Sequence, residues 1–158
     1  MVGKKQAGSK NCFICGVENP AGLHLNFYET EPGVIESEYI APEHFEGYPG
    51  VLHGGIVAAI LDEISGRAYM GTDPKNPRFM FTGKLEVKYR KNVPIGKSLK
   101  LVGRVMEDKG RAAKAWGGIY DAQTGELLAE ATGLHINVPG DKMDMSKLEE
   151  LGWKVYPD

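Results

Sequence analysis

Cysteine is scarce in this chain, with only Cys12 and Cys15 among 158 residues. A single CxxC pair cannot staple a small fold in the way a disulfide framework does, and it suits a reducing, cytoplasmic setting. The opening MVGKKQAGSKN is basic but has none of the apolar stretch that a secretory signal needs. Long apolar runs are missing too. The longest, Ile56 to Leu61, is far too short to cross a bilayer, so no membrane partner is expected. Neither sign of charge is in excess: 19 basic residues against 21 acidic ones leave a net charge of -2. That balance creates no field for gathering nucleic acid, and a polyanionic ligand would have to be met by a local cluster. Tryptophan occurs twice, as Trp116 and Trp153, and both read as packing residues.

The remaining composition is that of a globular protein, with 42% hydrophobic and 25% charged residues. This is enough for one domain with a real core and no metal or disulfide staples. There is no internal repeat. Residues 1–11 read as a flexible arm, 12–138 as the domain, and 139–158 as a tail with room for one short helix after a Pro-Gly break. LHLNFYET and PGVIESEYIAP read as paired strands across Pro32-Gly33. A long helix follows. RFMFTGKLEVKYRKNVPIG is a long strand in which Leu85, Val87 and Tyr89 alternate with Glu86, Lys88 and Arg90. Three more strands follow, joined by turns at Lys109-Gly110 and Thr124-Gly125. Two strands, a helix and four strands make an α+β pattern, a curved, mostly antiparallel sheet with the helix as its cover.

The helix begins oddly, as HGGIVAAILDEISGRAYM. Ile56, Val57, Ile60, Leu61 and Ile64 fall on one arc and should pack against the sheet, with Ala58, Asp62, Ser65 and Tyr69 on the opposite side. Gly54 and Gly55 suit a helix N-terminus, where they let another group approach unpaired N–H donors at the positive end of the dipole. Such a turn can polarise an electrophile. Asp62 lies nine residues after His53, roughly 13 Å along the axis and about half a turn round. One helix cannot bring both to one reacting carbon, so a site using both needs a second subunit.

FEGYPGVLHGGIVAAILDEISGRA, with FTGKLEVKYRKNVPIGK downstream, resembles the hotdog-fold acyl-CoA thioesterases of the PaaI (phenylacetate-pathway) type and related acyl-coenzyme A thioesterases. The resemblance implies a helix wrapped by an antiparallel sheet, sheet-paired homodimers that often form tetramers, an acyl-CoA substrate and no cofactor. It places Asp62 as nucleophile or general base and Gly55 as the N–H donor to the thioester carbonyl. His53 becomes the residue shaping that turn, and Thr82 a hydroxyl that helps place the attacking water. Where many relatives carry Asn or Gln six residues before the motif histidine, this chain has Gly47. Arg90 and Lys91, with Lys84 and Lys88 nearby, are candidates for the coenzyme A phosphates. Glu63 reads as flanking Asp62, and His135 as a strand residue without a chemical role.

No metal is expected. The Cys12/Cys15 pair would need further ligands, for which only His24 and His44 are plausible, and it reads instead as thiols shaping the first turn. The alternative to hydrolysis is a non-catalytic acyl-CoA-binding or regulatory hotdog domain. A hotdog hydratase is disfavoured, since no histidine follows Asp62 until His135.

Overall fold

The computed structural model describes residues 2–139 and 142–158. In chain order the elements are β1 (Lys4–Lys5), β2 (Tyr28–Glu31), β3 (Val34–Ile40), α1 (Gly54–Gly66), β4 (Met80–Tyr89), β5 (Ser98–Asp108), β6 (Ala112–Asp121) and β7 (Leu127–Asn137). The strands form one antiparallel sheet in the order β1-β2-β3-β5-β6-β7-β4. The sheet is open, and β4 is one of its edges. A single long helix lies against it, which is the expected α+β, hotdog arrangement.

Val57, Ile60, Leu61 and Ile64 of α1 are buried in the core, and Ile56 packs against it. The sheet accommodates this helix by removing side chains beneath it. Gly103 of β5 pairs with Gly117 of β6. A Cβ on Gly103 would stand 2.0 Å from the Ile64 carbonyl oxygen, and one on Gly117 would stand 3.1 Å from that of Leu61. These two glycines therefore set how deeply the helix sits. Ser65, expected on the outer face, is buried because the curved sheet reaches round to it.

Two expectations for the N-terminal part need correction. Of LHLNFYET only its last three residues, Tyr28, Glu29 and Thr30, are strand, in β2. Leu23, Leu25 and Phe27 are still buried in alternation, but Leu23 and Leu25 donate their N–H groups to Phe13 and Ile14, and His24 takes a positive φ of 57°. The segment has thus exchanged sheet pairing for pairing with the Cys12–Cys15 turn.

The first residues do not hang as an arm. Lys4–Lys5 pairs with β2, Gln6 and Ala7 are buried, and the Gln6 side-chain amide donates to the carbonyls of Arg67 and Gly71. Finally, the tail carries a 3₁₀ turn at Met145–Lys147, capped by Asp144. Beyond that turn Lys154 bridges to Gly8, and Trp153 packs edge-on against Phe79. Residues 140 and 141 of the expected tail lie outside the described residues.

Candidate active site

Helix α1 starts where His53 leaves the extended loop and caps it. The His53 carbonyl accepts from Ile56 and Val57, and the His53 ring Nδ1 accepts from the Gly55 N–H at 2.9 Å. The N–H expected to polarise a carbonyl is therefore held by its own histidine, and releasing it takes only a turn of an exposed ring. On the other side of the first turn, the Tyr89 hydroxyl donates to the Gly54 carbonyl at 2.7 Å and ties the end of β4 to the start of α1. Gly47 backs onto His53, where a Cβ would lie 3.2 Å from the histidine Cα. A larger residue at position 47 would have to displace the cap.

These residues open on a cavity of about 710 Å³. Gly47, His53, Gly54, Tyr89, Arg90 and Lys91 all contribute to its wall. Arg90 Nε is paired with Glu130, and Lys91 with Glu126. Arg90, with Trp116 Nε1 as a second donor, holds the Glu130 carboxyl below its ordinary range. Both cations are exposed enough for an anionic ligand to compete for them. Lys84 and Lys88 lie on the exposed face of β4, away from this wall.

Asp62 lies at the other end of the helix. Its Oδ1 accepts from the Thr82 hydroxyl at 2.5 Å. Thr82 reaches it from a bulge in β4, where Gly83 is the extra residue between the Thr82/His135 and Lys84/Leu134 pairs. The bulge re-aims the strand at the helix. Asp62, Thr82, Met80, Gly66 and His135 line a smaller cavity of about 100 Å³.

His135, a strand residue with no chemical signal in the sequence, is buried, lies 3.3 Å from Ser65 Oγ and shares the Asp62 cavity. Burial pushes its pKa down from the ordinary 6.5, and the Asp62 charge opposes that shift. Sequence could have indicated this. Ala129, Ala131, Gly133 and His135 alternate along β7, and a row of small residues marks the face beneath a helix.

Glu63 also borders the Asp62 cavity, but its carboxylate is engaged by the buried Arg67, whose Nε donates to it at 2.8 Å. Thus the structure unites Gly47, His53, Gly54, Arg90 and Lys91 around one cavity and Asp62 with Thr82 around another, with Gly55 capped between them. Within one chain the two groups do not meet.

The model of the thioesterase superfamily matches residues 49–128, just over half the chain. The chain belongs to that superfamily. Acyl-coenzyme A thioesterase THEM4 of Rattus norvegicus is 26% identical over 140 residues. That alignment covers 88% of this chain but 59% of the rat protein, so this superfamily member spans about three fifths of that relative's length.

The PaaI protein of the E. coli phenylacetic acid degradation operon shares its fold, with a TM-score of 0.66 at 13% identity over 75% of this chain and 82% of the other. The smu.793 protein of Streptococcus mutans UA159, solved with acetyl CoA bound, gives 0.64 at 20% identity over 72% and 88%. At such identities both show the fold alone. No helix among the described residues is long and apolar enough to cross a membrane.

Proposed function

We propose that this thioesterase superfamily member hydrolyses an acyl-CoA thioester to a free acid and coenzyme A, in a site shared by two copies of the chain. The observation that carries this reading is the layout of β4. Thr82 at its start bonds Asp62, and Tyr89 at its end bonds Gly54. Its outer edge has no partner strand among the described residues. An antiparallel pair of β4 strands about a two-fold axis would set Thr82 of one copy opposite the Tyr89 end of the other. Asp62 of one chain would then face the Gly54–Gly55 turn of its partner.

In that site the thioester oxygen lies at the helix N-terminus, where the Gly55 N–H replaces the His53 ring with the carbonyl as its acceptor. One good oxyanion donor lowers the barrier by about 3 kcal/mol. Asp62 either attacks the carbonyl carbon or takes a proton from water that does, with Thr82 fixing its carboxylate. In the base route the carbon–sulfur bond breaks and the proton that Asp62 took from water passes to the departing thiolate. In the direct route breaking that bond leaves an anhydride between Asp62 and the acyl group, and the thiolate takes its proton from solvent. Water then cleaves the anhydride to the free acid and restores Asp62. Arg90 and Lys91 exchange Glu130 and Glu126 for phosphate oxygens of the cofactor portion. The chemistry requires no metal or further cofactor, and the assembly is a homodimer that can pair again into a tetramer. A reducing cytoplasm suits the free thiols.

The capped Gly55 N–H favours a second reading, a domain that binds acyl-CoA without cleaving it. Incubating the protein with aromatic, medium-chain and long-chain acyl-CoAs while following release of free thiol separates the two. Turnover that vanishes in Asp62→Asn supports hydrolysis. Intact thioester throughout, despite measurable binding, leaves the binding domain.

A further inference from the structure

The cysteine pair has a companion that sequence spacing could not supply. His24 is turned to the Asn19 carbonyl and His44 is stacked on Phe45. Instead Glu63, from the third turn of α1, reaches the pair, and one ligand atom each of Cys12, Cys15 and Glu63 lie within 4.8 Å of one another. We propose that Cys12, Cys15 and Glu63 bind a thiolate-preferring divalent metal ion of the zinc class, which clamps the N-terminal turn to helix α1.

The turn is already shaped for this. Cys12 Sγ accepts from the N–H groups of Ile14 at 3.3 Å and Cys15 at 3.4 Å, and Cys15 Sγ accepts from that of Ser9 at 3.5 Å. Three backbone donors aimed at two sulfurs stabilise thiolates, the form in which cysteine binds metal. Gly16 closes the turn: a Cβ there would lie 2.4 Å from the Cys12 carbonyl oxygen and 2.5 Å from its nitrogen, so only glycine lets the chain fold back this tightly.

The carboxylate is equally prepared. Arg67 Nε engages Glu63 Oε1, which fixes the carboxylate and leaves Oε2 as the ligating oxygen. Arg67 is 2% exposed, and its Nη2 has no hydrogen-bond partner among the described residues. The buried Arg67–Glu63 pair is already neutral, so two thiolates formed beside it need a divalent cation to balance them. Two thiolates and Glu63 balance a divalent ion and Arg67, so the metal-loaded cluster is neutral. Tetrahedral zinc with Zn–S bonds of about 2.3 Å places its sulfurs about 3.8 Å apart, within a small rotamer adjustment of the present spread. Solvent fills the fourth position.

The test needs no thioester assay, so its failure is distinct from failure of the hydrolase reading. The full chain is stripped with chelator under reductant, then titrated with zinc and, separately, with cobalt(II). One zinc per chain is expected by elemental analysis, and the cobalt form should show thiolate charge-transfer bands with tetrahedral visible bands. Cys12→Ser/Cys15→Ser should abolish both signals. Glu63→Gln should weaken zinc binding at least about tenfold, the minimum loss seen when even an outer-shell partner is removed, while His24→Asn should bind as wild type. The proposal falls if the wild-type chain takes up no zinc at micromolar free metal, if the double serine variant binds equally well, or if the reduced pair forms a Cys12–Cys15 disulfide in air and binds no metal once re-reduced. Should the double variant not fold, the cobalt spectra of wild type and Glu63→Gln still decide.

Discussion

Asp62 and Glu63 are adjacent in the chain and live in different surroundings. Asp62 stands in a small cavity with only a hydroxyl bonded to it, whereas Glu63 is committed to a buried guanidinium. Asp62→Asn should therefore cost at least about a hundredfold in kcat/KM, with little change in Tm. Glu63→Gln should lower stability by about 1–2 kcal/mol, since Arg67 keeps an acceptor but loses its countercharge. Steady-state kinetics and thermal melts on both variants check this, and a larger kinetic loss in Glu63→Gln would make Glu63 the working acid.

His135 supplies a second residue-scale expectation. Its pKa is lower in the folded chain than in the unfolded one, so its share of stability is complete above its ordinary value of 6.5 and is lost as pH falls through the depressed value. Tm measured below about pH 6.5 should fall less steeply in His135→Gln than in wild type. Equal slopes would mean that the imidazole charges in place. The acid and the glycine turn were legible in sequence because each is a local pattern. The partnerships of Glu63 with Cys12 and of His135 with Asp62 were not, because they join residues far apart in the chain that meet only through tertiary packing.

At the scale of elements, the helix was legible from its apolar period, and the turns at Gly33, Gly110 and Gly125 all carry the positive φ that their sequences promised. The bed beneath the helix was not, since a glycine in a strand does not say which backbone approaches it. Gly103→Ala would push a methyl into the Ile64 carbonyl and should cost about 3 kcal/mol or prevent folding altogether, read by denaturant titration. At the other end of the helix, Gly55→Val keeps its N–H but sets a branched side chain where a Cβ already lies 3.1 Å from His53 Nδ1. A folded protein whose kcat/KM drops at least about a hundredfold is expected. Wild-type turnover in a folded Gly55→Val protein would remove the first turn from the chemistry.

For the molecule as a whole, the separation of the two clusters makes assembly testable. Mixed in equal amounts and allowed to exchange, Asp62→Asn and Gly55→Val chains should recover about a quarter of wild-type activity, because half the dimers are mixed and each has one intact site of two. No recovery despite demonstrated exchange would put both halves of the site in one chain. The docking of the first residues also bears on inheritance. Arg67 sits in the helical turn that continues α1, and its Nη1 donates to the Ala7 carbonyl while its guanidinium lies 4.2 Å above the Phe27 ring. Both partners lie outside the family-matched span 49–128, as does His135. A gene fragment carrying that span alone would deliver the glycine turn and the acid with a buried cation stripped of its hosts. A unit that keeps this cation housed has to reach back at least to Ala7, so the motif and its N-terminal clasp make one transferable piece.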